Sequence, residues 1–145
     1  MEAVPADKLL AVDVKTPWAV MALAAAVKGR AMQSRTLVWC SSALVVRYAV
    51  RSMQGVEVAY YKDYEDGPNN IEFIGKAGRI GAQAVSLYWP GISREVVAAA
   101  HSLGLKVYSW HKELPITGEK LASGLDGLIT DHPARAREVV GDLTP

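Results

Sequence analysis

Short apolar runs alternate with longer helix-patterned stretches along the whole chain. The runs Leu9–Val14, Thr36–Cys40, Val56–Tyr60, Ala84–Tyr88, Leu105–Trp110 and Gly127–Thr130 predict six strands. They are mostly apolar without clean alternation, the pattern of parallel strands covered by helices. Between them the spacing predicts helices over Pro17–Met32, Ala43–Met53, Ile71–Gly81, Arg94–Leu103, a short one near Gly118–Ala122, and Pro133–Val140. Thr16, Ser42 and Ser93 stand where N-caps belong, and Pro17 takes a first helical position. The polar stretch Asp63–Asn70 is the longest strand-to-helix loop.

Four glycines punctuate this pattern. Gly55, Gly81, Gly104 and Gly124 each close a helical stretch just before an apolar run, at spacings of 26, 23 and 20 residues. A glycine there can take the left-handed conformation that ends a helix and turns the chain into the next strand. Each spacing is about one strand–helix unit. Six such units predict a parallel α/β protein, either an open doubly wound sheet or part of a barrel. The chain has 145 residues, whereas a closed eight-unit barrel takes roughly 250. No linker interrupts it, so residues 1–145 read as a single domain.

Composition narrows the function classes. Half of the residues are hydrophobic and 21% charged, which supplies a core and excludes a disordered tail. Sixteen basic against fifteen acidic residues leave a net charge of +1, not the basic excess of a nucleic-acid binder. Cys40 is the only cysteine, so neither an internal disulfide nor a cysteine zinc cluster is available. The longest apolar run, Pro17–Val27, has eleven residues, short of the ~20 that span a bilayer. Behind Lys15 it has a faint likeness to a signal-peptide core, but Thr16 and Pro17 make it the start of an amphipathic-to-buried helix. A cytoplasmic protein is the default expectation.

In parallel α/β proteins chemistry gathers at the C-terminal ends of the strands. The first strand ends in Asp13-Val14-Lys15, and alternation puts both charges on one face. Two readings stand: Asp13 as an oxygen ligand for a hard cation with Lys15 on a phosphate, or the two as a strand-end ion pair. Trp110 and His111 end the fifth strand, the indole as a ligand wall or a packed ring, the imidazole as a general acid–base or a solvated side chain. His101 reads as a surface or satisfied core residue of an alanine-rich helix and Asp131 as a cap. Ser41 and Ser42 open a helix after a strand, a possible anion contact. No P-loop, dinucleotide glycine fingerprint or Gly-x-Ser-x-Gly elbow is present.

Val107-Tyr108-Ser109-Trp110 and Leu125-Asp126-Gly127-Leu128-Ile129-Thr130-Asp131-His132-Pro133 resemble the closing strands of the glycerophosphodiester phosphodiesterase family, whose signature ends in Thr-Asp-x-Pro. The helix and glycine turn of Glu95–Leu105 fit what precedes those strands, and Asp13-Val14-Lys15 is similar to the family's Glu-x-Lys strand. The resemblance covers roughly residues 9–140. It implies an incomplete TIM (β/α) barrel of about six parallel βα units. It also implies a divalent cation (Mg or Ca) held by Asp13, a catalytic Lys15 and a substrate-binding Trp110. The implied reaction is hydrolysis of a small-molecule glycerophosphodiester to an alcohol and glycerol 3-phosphate, a step of lipid metabolism.

The departures are specific. The family's other strands supply a His-Arg pair, a Glu-x-Asp pair of metal ligands and a second histidine. This chain has no His-Arg dipeptide, and Asp13 is one methylene shorter than the usual glutamate. Leu9 falls about where the third barrel strand would stand. Two function classes follow: a phosphodiesterase or its terminal portion, inactive alone, and a non-catalytic α/β module that binds a ligand or partner chain. Open strand edges at Leu9–Val14 and Gly127–Thr130 lead to an expected homodimer or a complementary N-terminal fragment as partner.

Overall fold

All six strands run parallel in one sheet, in the sequential order β1 to β6, as the repeat predicts. The computed structural model describes residues 4–62, 69–110 and 116–141. The strands are β1 (Leu10–Asp13), β2 (Thr36–Cys40), β3 (Glu57–Tyr61), β4 (Ala84–Tyr88), β5 (Lys106–Trp110) and β6 (Gly127–Ile129). The helices between and after them are α1 (Pro17–Lys28), α2 (Ala43–Ser52), α3 (Asn70–Arg79), α4 (Arg94–Ser102), α5 (Gly118–Leu121) and α6 (Pro133–Gly141). Strand order never reverses, so the doubly wound alternative falls. The sheet curls into an incomplete barrel, with β1 and β6 as its open edges.

The glycine turns behave as their spacing predicts. Gly55, Gly81, Gly104 and Gly124 have φ of 80, 85, 71 and 97°, a region that any side chain would strain. Helix boundaries differ most at α1, which ends at Lys28 rather than Met32. There the chain peels off through Gly29, Met32 N–H reaches back to Val27 O, and Ala31 takes a positive φ of 52°. A 3-10 turn over Gln33–Arg35 then feeds β2. Thr16 and Ser93 cap α1 and α4 through their hydroxyls, whereas the Ser42 side chain makes no capping bond to α2.

The main core lies between the convex face of the sheet and the helices, where Val38, Val58, Val85, Leu87 and Val107 meet Val20, Val46, Ile74 and Val97. The other face is concave, and the ladder register aligns on it Asp13, Trp39, Ala59 and Ala84 from four neighbouring strands. Residues 4–8 fold back onto Arg35, whose guanidinium donates to the Lys8, Val4 and Pro5 carbonyls. α1 is amphipathic: Val20 and Val27 are buried against the sheet, while Trp18 is 81% exposed, because this helix has only one sheet face and α2 to pack on.

Candidate functional site

Asp13 and Lys15 leave the end of β1 on the same face, as alternation requires, and their side chains meet at 2.7 Å. Tyr61, the last residue of β3, completes the cluster. Its hydroxyl accepts a hydrogen bond from Lys15 Nζ and donates to Asp13 Oδ2 at 3.4 Å. The ammonium also sits 5.0 Å from the centroid of the Tyr61 ring. The Asp13 and Tyr61 hydrogen bonds hold the Lys15 pKa well above the usual lysine range, against the opposing effect of burial. Lys15 is therefore a fixed cation at any ordinary pH.

These three residues share a cavity of about 390 Å³ with Trp39, Ser86, Trp110 and Ile129. It opens on the concave face at the C-terminal ends of the strands, the end that carries chemistry in barrel proteins. Trp110 is both wall and packed ring, its indole lying 4.4 Å from the Tyr88 ring. Trp39 stands edge-on to Tyr108 at 5.6 Å, and its buried Nε1–H has no hydrogen-bond partner. A buried donor left without a partner costs stability, so Trp39 joins the cavity through its ring and not through its N–H. Tyr61 and Trp39 carry no sequence signal of their own. Only the strand register, which aligns Asp13 with Trp39 and Ala59 two residues before Tyr61, brings them to the site.

The remaining candidates separate. Cys40 ends β2 on the convex side, fully buried, and burial pushes its thiol up to about 12. His101 is engaged by Asp126 at 2.9 Å, and the same carboxylate oxygen accepts the Val107 N–H at 2.7 Å. In the closing motif Asp126 therefore ties α4 to β5, and Gly127 leaves room for Tyr108, whose ring carbon would lie 2.7 Å from any Cβ added there. At its end Thr130 Oγ1 accepts the His132 N–H, while Asp131 and His132 stay exposed. His111 lies outside the described residues, as do 63–68 of the polar loop. Ser41 and Ser42 are exposed and do not line the cavity.

The donor set among the described residues does not suit a divalent cation. Magnesium or calcium takes about six or more oxygen ligands, several of them carboxylates. Among the described residues no group of three or more His, Cys, Asp or Glu is gathered. Asp13, the one carboxylate lining the cavity among the described residues, already faces the Lys15 ammonium. No helix among the described residues is long and apolar enough to cross a membrane.

No protein-family profile and no curated protein matches the sequence. Solved structures match in fold. A protein from Silicibacter pomeroyi DSS-3, assigned as a glycerophosphoryl diester phosphodiesterase, superposes with a TM-score of 0.78 at 22% identity, over 93% of this chain and 50% of its own. A glycerophosphodiester phosphodiesterase from Parabacteroides distasonis ATCC 8503 gives 0.73 at 17% identity, over 94% of this chain and 59% of its own. One from Thermotoga maritima gives 0.71 at 18%, over 97% and 60%. The chain thus spans half to three-fifths of the length of these structures. Its fold is a partial barrel of the glycerophosphodiester phosphodiesterase type.

Proposed function

We propose that residues 1–145 form one glycerophosphodiester-handling unit, which binds a phosphodiester or its glycerol 3-phosphate product at the Asp13–Lys15–Tyr61 end and does not turn it over alone. The observation that carries this reading is Lys15, an ammonium held by two partners beside the aromatic walls of Trp39 and Trp110, in a fold of this type. Lys15 takes a phosphate oxygen and Trp110 packs against the organic portion. Tyr61 and Asp13 aim the ammonium.

Hydrolysis needs more. Water must lose a proton as it attacks phosphorus, and the departing alkoxide must gain one, which positioned acid–base groups accelerate by ~10²–10⁴. No histidine lines the cavity among the described residues. Asp13 is the residue that the resemblance gives to Mg or Ca, but its engagement by Lys15 supports an ion pair instead, and no step is derived through a metal. The complementary acid–base groups would come from outside residues 1–145, on further chain of the same protein, a separate N-terminal fragment or a second copy, placed against the open edge of β1 or β6.

Calorimetric titration with glycerol 3-phosphate tests the reading, alongside a hydrolysis assay on glycerophosphocholine with Mg or Ca present. Binding is expected to weaken by ~10-fold or more in Lys15→Met, since hydrogen bonds to charged groups are worth ~1.5–3 kcal/mol. No alcohol release is expected from the chain alone. Robust turnover abolished by Asp13→Ala or Lys15→Ala would restore a complete enzyme, whereas absent binding leaves a non-catalytic module.

A further inference from the structure

The outer face of α1 and α2 joins two unusual features. The first is apolar. Trp18, Met21, Ala22 and Ala25 follow the i, i+3, i+4, i+7 spacing of one helix face, and all four are exposed, Trp18 by 81% and Met21 by 54%. On α2, Leu44 is 66% exposed, and Tyr48 reaches Met21 Sδ at 3.1 Å across the helix pair. Large apolar side chains left in water over two neighbouring helices mark an interaction surface.

The second is cationic. Where the same two helices end, a cavity of about 470 Å³ opens between them. Lys28 and Arg51 line it, with Gln33, Ser52 and Gln54, and no carboxylate is among its lining residues. Arg47 lies one turn before Arg51 on the exposed side of α2. Neither helix contains an aspartate or glutamate. Cations in a last helical turn are ordinary. Two helices presenting them to one shared cavity, beyond an apolar stripe and with no carboxylate among the described lining residues, are not.

We propose that this face is a docking site for an anionic bilayer surface. The headgroup phosphate of a lipid enters the Lys28–Arg51 cavity, and Trp18, Met21 and Leu44 insert at the boundary between headgroups and acyl chains. The two helices are parallel neighbours, so their apolar N-terminal ends and cationic C-terminal ends lie side by side. From Trp18 to Lys28 the rise of α1 is about 15 Å, enough to set the two chemistries at different places on one lipid surface. Basic residues near an anionic membrane contribute ~1 kcal/mol each, and exposed tryptophan favours the interface. The site is separate from the concave-face cavity and does not depend on its ligand.

Flotation with vesicles tests this, using mixed phosphatidylglycerol–phosphatidylcholine against pure phosphatidylcholine. The chain is expected to partition onto the anionic vesicles and not the neutral ones, and high salt is expected to release it. Each cation removed is expected to cost about fivefold in partitioning, so Lys28→Ser with Arg51→Ser lowers it about 25-fold. Trp18→Ser weakens binding at constant charge. These positions are exposed, and far-UV circular dichroism of each variant establishes that it is folded. Equal binding to both vesicle types, or unchanged binding of the double variant, overturns the proposal. So does light scattering that shows a dimer dispersed by Trp18→Ser, because a second copy would then be what covers the face.

Discussion

The concave face carries two clusters of the same composition, each a carboxylate, a lysine and a tyrosine, at opposite ends of the strands. Near the strand starts Glu57 gives each of its oxygens a separate donor, Lys106 Nζ at 2.6 Å and Tyr108 OH at 2.6 Å. Burial and its hydrogen bond to Glu57 raise the Tyr108 pKa, and a separate hydrogen bond to Glu57 raises that of Lys106. Near the strand ends Lys15 and Tyr61 crowd onto one oxygen of Asp13, and the group opens into a cavity. The lower trio has its partners matched one to one, with the Tyr108 ring wedged against Gly127. The upper one shares one carboxylate oxygen between two partners, leaves its carboxylate more exposed than Glu57 and lines a cavity. The difference separates a trio whose donors are matched to its acceptors from one that faces a cavity with acceptor capacity left over.

The comparison breaks most readily at Gly127. A Cβ there meets the Tyr108 ring at 2.7 Å, so Gly127→Ala should destabilise by ~2–3 kcal/mol through overpacking, measured as a lower urea midpoint. Next comes the pair of tyrosine variants. Tyr108→Phe leaves a carboxylate oxygen of Glu57 without its donor and should cost ~1–2 kcal/mol. Tyr61→Phe should change stability by less than ~0.5 kcal/mol while weakening glycerol 3-phosphate binding. Equal stability losses in the two variants would erase the distinction.

Protonation sharpens it further. The Lys15 pKa is raised above its usual 10.5 on folding, so its contribution is complete below that pH and is lost only as pH rises beyond it. Glycerol 3-phosphate affinity should therefore stay flat from pH 8 to about 10, read by calorimetry at constant ionic strength. The smallest effect is a silent one. Cys40, buried and pushed up to about 12, should not react with an aromatic disulfide reagent at neutral pH until denaturant is added.

Much of the fold was legible because its punctuation is chemical. A glycine that must be left-handed marks each of four helix ends, and sequential crossovers follow from short units. The same-face placement of Asp13 and Lys15 was also legible, since a strand has period two. What the pair meets was not. Tyr61 is 46 residues from Lys15, and its arrival depends on the registers of β1 with β2 and β2 with β3. Periodicity within one strand cannot supply inter-strand register. The apolar excess of α1 and α2 was legible as a face in want of cover, but which residues stay in water, Trp18, Met21 and Leu44, depends on how the two helices pack. Ser42 and Ser93 look alike in sequence, yet only the Ser93 hydroxyl turns back to its helix.

Nearest-neighbour strand order also governs how the chain finds this structure. Every ladder closes over a single strand–helix unit, and the glycine spacings shrink from 26 to 20 residues along the chain. Loop-closure entropy grows only with the logarithm of length, so no pairing step is much harder than another. Assembly can start at any adjacent pair of strands and spread in both directions, as in a solenoid. A unit added at either open edge would inherit the same kinetics, without rerouting any connection already made.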